Sequence, residues 1–179
     1  MRQIEETLLT RPARVGVIGT GWWATSYHLP TLAAHPHAEL VGVADIDPRK
    51  AEEAARLHAI PHSFDDHRSL LELGLDGVVV ATSHDTHYTL ARDALEAGAD
   101  VLVEKPMTIE PEDARELVRL ARRLQRRLHV GYPFPYTVMP GLCRGSSKRA
   151  RSESCSPHRA SSRRRCSLSI AASSTSPCT

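Results

Sequence analysis

Short apolar runs alternate with amphipathic stretches from about Val15 to Gly131. Val15–Ile18 predicts a first strand. Trp22 to Ala34 predicts a helix, with Pro30 expected to bend or shorten it. Glu39–Asp45 (ELVGVAD) predicts a second strand. Asp47-Pro48 opens a helix through His58, Asp47 suiting the N-cap and Pro48 the first turn. A short strand at His62–Phe64 and a short helix at Asp66–Leu73 follow. Gly77–Thr82 (GVVVAT) is β-branched and apolar almost throughout, as a parallel strand buried on both faces requires. The pattern then gives a helix over Thr86–Ala97 stopped by Gly98, a strand over Val101–Glu104, a helix over Glu110–Arg127 and a last strand over Leu128–Gly131. The Glu110–Arg127 stretch places Ala114, Leu117, Val118, Ala121 and Leu124 on one face.

Strand-helix alternation of this length implies right-handed crossovers and an α/β fold, a doubly wound parallel sheet of six strands in the order 3-2-1-4-5-6. Ligands of such sheets bind beyond the carboxyl ends of the strands. Four groups fall there: Gly19–Ala24, Asp45, Thr82–His87 and Glu104–Pro106.

The pattern stops near residue 142, and the composition changes with it. Residues 1–142 carry 15 Lys+Arg against 20 Asp+Glu, a balance of −5, whereas residues 143–179 carry 8 against 1, a balance of +7. The overall +2 conceals this division. The second segment holds twelve Ser and all four Cys, with almost no apolar periodicity. It cannot bury enough surface to offset its ordering entropy and is expected to be disordered. The expected organisation is an extension over 1–12, one domain over 13–136 and a Ser/Arg/Cys-rich tail over 137–179. Of two readings of the tail, translation out of frame is favoured, because the pattern is lost abruptly near Pro140–Leu142 just as cysteine appears. Arg, Ser, Ala, Pro and Cys without periodicity fit a GC-rich gene translated out of frame. Arg163-Arg164-Arg165 could instead contact nucleic acid phosphates; a solvated segment is the more ordinary explanation of such a charge run, so a nucleic acid partner is not expected.

No apolar run approaches the roughly 20 residues of a membrane span. Met1–Pro12 carries Glu5 and Glu6 and does not read as a secretion signal. The first 142 residues contain no cysteine. A cytoplasmic, reducing location and no membrane partner are therefore expected. Metal binding is not expected: His35-x-His37 and His84-x-x-His87 are the closest His pairs, and Cys143, Cys155, Cys166 and Cys178 lie too far apart for paired zinc ligands.

The chemistry-bearing motif is Gly19-Thr20-Gly21-Trp22-Trp23-Ala24, a Gly-x-Gly-x-x-Ala directly after an apolar strand. Gly19 permits a tight turn, Gly21 lets phosphates approach the main chain, and Ala24 lets the new helix pack closely on the strand. An anion would sit on the amides and positive dipole end of that helix. Asp45, at the end of the second strand, suits the hydroxyls of an adenosine ribose and repels a 2′-phosphate, which favours NAD over NADP. Arg49 and Lys50 lie near enough to soften that preference, so NADP is not excluded. The bland alternative is that Asp45 and Asp47 both cap the next helix. Glu104-Lys105-Pro106 ends a strand at the cleft edge, where a lysine can set a charge beside a substrate hydroxyl or simply lie on the surface.

Taken together, Gly-x-Gly-x-x-Ala, Val43-Ala44-Asp45, Ala81-Thr82 to His87, Glu96-Ala97-Gly98 and the run Val101-Leu102-Val103-Glu104-Lys105-Pro106 resemble the Gfo/Idh/MocA oxidoreductases, which include inositol dehydrogenase and glucose–fructose oxidoreductase. The resemblance covers about residues 13–135, the N-terminal Rossmann domain of that family. It implies a nicotinamide dinucleotide bound along Gly19, Thr20, Gly21, Trp22, Trp23, Ala24, Asp45, Ala81, Thr82, His87, Glu104, Lys105 and Pro106. Lys105 would match the lysine that orients or activates the substrate, and Tyr132 falls where the family enters its second domain. Hydride transfer with a CH–OH carbon of a sugar, inositol or similar polyol is the implied reaction. The family's partner acid–base pair belongs to a C-terminal domain, as do its main dimer contacts. With that pattern lost near Pro140–Leu142, the chain is expected to be incomplete, inactive alone and of doubtful oligomeric state. The expectation from another class is an NAD(H)-sensing module whose basic tail engages nucleic acid.

Overall fold

A computed structural model describes residues 11–132. Residues 1–10 and 133–179 lie outside the described residues, and with them most of the expected N-terminal extension, the basic tail and all four cysteines. Six strands form one parallel sheet: β1 (Ala13–Ile18), β2 (Ala38–Ala44), β3 (His62–Phe64), β4 (Gly77–Val80), β5 (Asp100–Glu104) and β6 (Leu128–Gly131). Their spatial order is β3-β2-β1-β4-β5-β6, the doubly wound order expected from the alternation. Between them run α1 (Leu29–Ala33), α2 (Pro48–His58), α3 (His67–Leu71), α4 (His87–Glu96) and α5 (Pro111–Arg123).

Strand β4 demonstrates why the central run had to be apolar at every position. Val78 and Val80 join the core beneath α3, α4 and α5 with Leu70, Leu95 and Leu117. Val79 points the other way, into the cluster of Val17, Ala24, Leu29, Val43 and the α2 alanines. Both faces are covered, so both parities must be hydrophobic. On the first face, Gly16 and Gly42 are paired across β1 and β2. A Cβ at Gly42 would lie 2.6 Å from Leu70 Cδ1, so the glycine makes the seat that Leu70 fills.

The local signals act as their chemistry requires at two helix starts. Asp47 and Asp66 cap α2 and α3, their carboxylates accepting from Arg49 N, and from Arg68 N and Ser69 N. Two elements differ from expectation. The Trp22–Ala34 stretch, which Pro30 is expected to bend or shorten, is not one α-helix: Ala24–His28 is a π-turn in which Leu29 N donates to the Ala24 carbonyl, and Pro30 sits in the first turn of the short α1. The last helix ends at Arg123 rather than Arg127. Gln125 takes a left-handed φ of 55° and turns the chain back, and Arg127 N donates to Asp100 Oδ1 at the head of β6. The buried face of α5 is accordingly Leu117, Leu120 and Ala121, with Ala114 and Val118 half-buried and Leu124 exposed beyond the helix.

Leu70→Ala should cost about 2–5 kcal/mol in urea unfolding, because its seat over the paired glycines cannot close. Acid provides a second test. Asp76 accepts from Arg11 at 2.7 and 2.9 Å and from Arg14 N at 2.8 Å, and the Arg11 hydrogen bond first of all holds its carboxyl below the usual range. A depressed folded-state pKa gives stability that is full above the unfolded value of about 3.9 and lost as pH falls through the folded value. The stability gap between the parent and Asp76→Asn should therefore be open at pH 6 and close progressively below about pH 4.

Candidate functional site

The chain leaves β1 through Gly19, whose φ of +91° lies in the left-handed region. Its amide donates to the Ala44 carbonyl at 2.7 Å, and Ala81 N donates to the Ile18 carbonyl at 2.8 Å. The turn is thus wedged between the ends of β2 and β4. A Cβ at Gly19 would lie 2.6 Å from the Ala81 carbonyl oxygen, a contact that no side chain tolerates. At Gly21 the situation is reversed: an added Cβ would meet no atom of the described residues within 4 Å. Nothing among them requires a glycine there, and they leave the backbone open to an approaching ligand. Ala24 is fully buried beside the strands, which brings the helix start down onto the sheet.

Asp45 and Asp47 do different work. Asp47 caps α2, whereas Asp45 stitches the glycine turn to β2. Its Oδ2 accepts from Thr20 N at 2.7 Å and Thr20 Oγ1 at 2.9 Å, and its Oδ1 accepts from Asp47 N at 3.0 Å. The two cations nearby also separate. Arg49 is held by Asp47 at 3.2 Å, while Lys50 reaches the cavity.

That cavity, of about 650 Å³, opens beyond the carboxyl ends of β1, β2 and β4. Gly19, Gly21, Trp22, Trp23, Asp45, Ala81 and Thr82 line it, as do Lys50, Ser83, Thr86 and Leu90. Asp65, Asp66 and His67 line it too, and composition gave no hint of them. The signal was in the strand order: β3 lies beside β2, so the segment leaving β3 must open on the same edge. Thr20 and Ala24 sit behind the lining, engaged in the contacts above.

The remaining expected site residues gather beside this cavity and do not line it. His87 is fully buried and does not reach the cavity lining. Its Nδ1 lies 2.8 Å from the Pro106 carbonyl and its Nε2 3.2 Å from the Thr82 carbonyl. A neutral ring donates only one of these, and the Pro106 contact has the better length. Glu104 is also buried. Its Oε1 accepts from Trp23 Nε1 at 2.7 Å and lies 2.7 Å from His28 Nε2, and its Oε2 accepts from Lys105 N at 3.2 Å. Paired with a carboxylate, which only accepts, His28 serves as the donor in the tautomer that carries its hydrogen on Nε2. Lys105 itself is exposed, and the Lys105–Pro106 peptide is cis. The backbone around Lys105 is therefore tied on one side to Glu104 and on the other to His87. The roles of His28 and of Glu104 as an anchor were missed in the sequence, since neither belongs to a spacing rule. Among the described residues no group of three or more His, Cys, Asp or Glu is placed to hold a metal, and no helix is long and apolar enough to cross a membrane.

This geometry agrees with what the chain is similar to. The model of the Gfo/Idh/MocA oxidoreductase family, NAD-binding Rossmann fold, matches residues 13–132. Among curated proteins, the chain is 37% identical over 121 residues to the uncharacterized oxidoreductase YdgJ of Escherichia coli, covering 65% of this chain and 33% of that protein. It is 33% identical over 136 residues to D-glucoside 3-dehydrogenase of Escherichia coli, covering 75% and 39%. Among solved structures, a 3-ketoreductase from Actinomadura kijaniata in complex with NADP superposes with a TM-score of 0.71 at 27% identity, covering 79% of this chain and 45% of that one. An apo scyllo-inositol dehydrogenase from Lactobacillus casei superposes at 0.72 with 17% identity, covering 80% and 43%, a likeness of fold. The chain spans about a third of the length of the curated relatives it matches. With the family model matched over more than half of its residues, the chain belongs to the Gfo/Idh/MocA oxidoreductases and is an NAD(P)-binding domain of the Rossmann fold.

Proposed function

We propose that this domain holds the nicotinamide cofactor for hydride transfer with a CH–OH carbon of a sugar, cyclitol or similar polyol, in the setting of a whole protein such as its relatives. The observation that carries this is the cavity beyond β1, β2 and β4, with the open face of Gly21 on one side and the Asp45 carboxylate on the other. The pyrophosphate would lie on the turn from Gly19 to Ala24, where first-turn amides have no acceptor inside their own helix. Asp45 would take the adenosine ribose. Three donors already occupy it, and a carboxylate offers about four lone-pair sites, so its Oδ1 still has room for a ribose hydroxyl. Thr82, across the cavity, would meet the cofactor along its length.

When bound, the nicotinamide accepts or supplies the hydride. The residues of this chain do the rest of what falls to this domain. Lys105, the exposed cation whose backbone neighbours are tied down, would stand beside the substrate hydroxyl and favour its ionised form as carbon loses hydride. Sugar selection and the second acid–base group would come from outside the matched third, as would any subunit contacts. NAD is the preferred cofactor because Asp45 carries a full negative charge where a 2′-phosphate would lie; Lys50 weakens that preference.

NADH titration against tryptophan fluorescence tests the reading on the full chain, since Trp22 and Trp23 both line the cavity. Saturable quenching is expected, and a flat response to millimolar NADH and NADPH would sink the proposal. Gly19→Ala should weaken NADH by at least about tenfold, or roughly 1.4 kcal/mol, because its Cβ forces the turn off the Ala81 carbonyl. Asp45→Asn should narrow the preference for NADH over NADPH severalfold; an unchanged ratio of dissociation constants would remove Asp45 from cofactor choice.

A further inference from the structure

Trp23 and His28 stand five positions apart, yet both reach one oxygen, Glu104 Oε1, at 2.7 Å. In a regular α-helix, positions three and four apart share a face and positions five apart do not. The π-turn at Ala24–His28 changes that, because its i→i+5 register brings residues five apart onto the same side. The widened turn is what lets the glycine-rich segment present an indole N–H and an imidazole N–H to the same carboxylate. Tyr27 packs against Trp23 with ring centroids 4.3 Å apart and steadies the indole.

The receiving side is equally shaped. Glu104 is 8% exposed, and its carboxylate fills the space over Gly131 on the neighbouring strand. A Cβ at Gly131 would lie 2.8 Å from Oε1 and 3.0 Å from Cδ. A buried carboxylate is costly unless its partners satisfy it, and a pair of apolar residues would bridge two elements at less cost. What the carboxylate adds is a connection. Trp23 is a wall of the dinucleotide cavity, and the other oxygen of the same carboxylate holds the Lys105 amide.

We propose that Glu104 is a positioning residue that couples occupancy of the dinucleotide cavity to the placement of Lys105, through Trp23 and with His28 as its second anchor. A ligand that fixes Trp23 fixes the carboxylate, and the carboxylate fixes the backbone from which Lys105 projects. This rests on the cavity being the NAD(P) site.

The test is hydrogen exchange at the Lys105 amide, with and without saturating NADH, on the full chain in a Trp22→Phe background that leaves Trp23 as the only tryptophan. In that parent, NADH should slow Lys105 exchange several-fold and quench Trp23. In Glu104→Gln the side-chain amide sets a donor against one of the N–H groups, so the exchange response should vanish and NADH affinity should fall several-fold. Gly131→Ala keeps the carboxylate but pushes it off its seat, and should lose the same response with the core intact by circular dichroism. Lys105 exchange that ignores NADH in a parent that binds it would overturn the coupling, as would a full response in Glu104→Gln or Gly131→Ala. A parent whose Trp23 signal ignores both NADH and NADPH would instead overturn the cofactor reading, and the coupling with it. Should a variant unfold, the parent measurement decides alone.

Discussion

The constraint on which the site depends is that all six strands run in the same direction and β1 lies in the middle of them. Starting from β1, the chain builds outward through β2 and β3 on one side, then crosses over to build β4, β5 and β6 on the other. The segments leaving β1 and β4 therefore part at the centre of the sheet, and a crevice opens between them. Gly19 sits at that parting, bonded to the end of β2 and pressed against the end of β4. Every other feature of the cavity follows from strands that deliver their last residues to a common edge.

The sheet was legible in the sequence because burial on both faces leaves little choice of residue. Val78, Val79 and Val80 alternate between two cores, and no polar residue could stand at any of them. The cap of α2 was equally legible, since Asp47-Pro48 has few other uses. Harder to see was anything that depends on a partner distant in the chain. Glu104 reads as a cleft-edge residue along the cofactor, and its part as an anchor emerges only when Trp23, 81 positions away, is placed against it. His87 reads as a cleft residue at the right spacing; its burial between two carbonyls follows from how α4 packs on β5, which spacing does not encode. The π-turn was hidden for a different reason. Its apolar and polar positions over one turn fit an α-helix nearly as well, and what separates the two registers is the Leu29 N hydrogen bond to the Ala24 carbonyl, which spacing does not encode.

Acids at the site divide by what they hold. Asp47 and Asp66 serve helix amides and lie at the cavity's rim. Asp45 serves the glycine turn, so the carboxylate proposed to choose between cofactors also fixes the loop proposed to hold the phosphates. These tasks are compatible because a carboxylate has more acceptor sites than the protein fills. They also mean that substitution at Asp45 moves the loop as well as the charge, and that Thr20, though buried behind the lining, belongs to the same machinery.

Lys105 poses the opposite problem to a buried catalytic group. Its side chain is exposed and long, and a free lysine loses up to about 2 kcal/mol of rotamer entropy when it is fixed. Among the described residues nothing holds the ammonium directly. The fold fixes the backbone instead, with the Lys105 amide on Glu104 and the Pro106 carbonyl on His87, both anchors being buried. In the role proposed for Lys105, an anchored root and an exposed tip would let one residue meet substrates of different shape from a constant origin. The cost of burying a carboxylate falls on Glu104, where Trp23 and His28 satisfy it, while the exposed Lys105 side chain bears none of it.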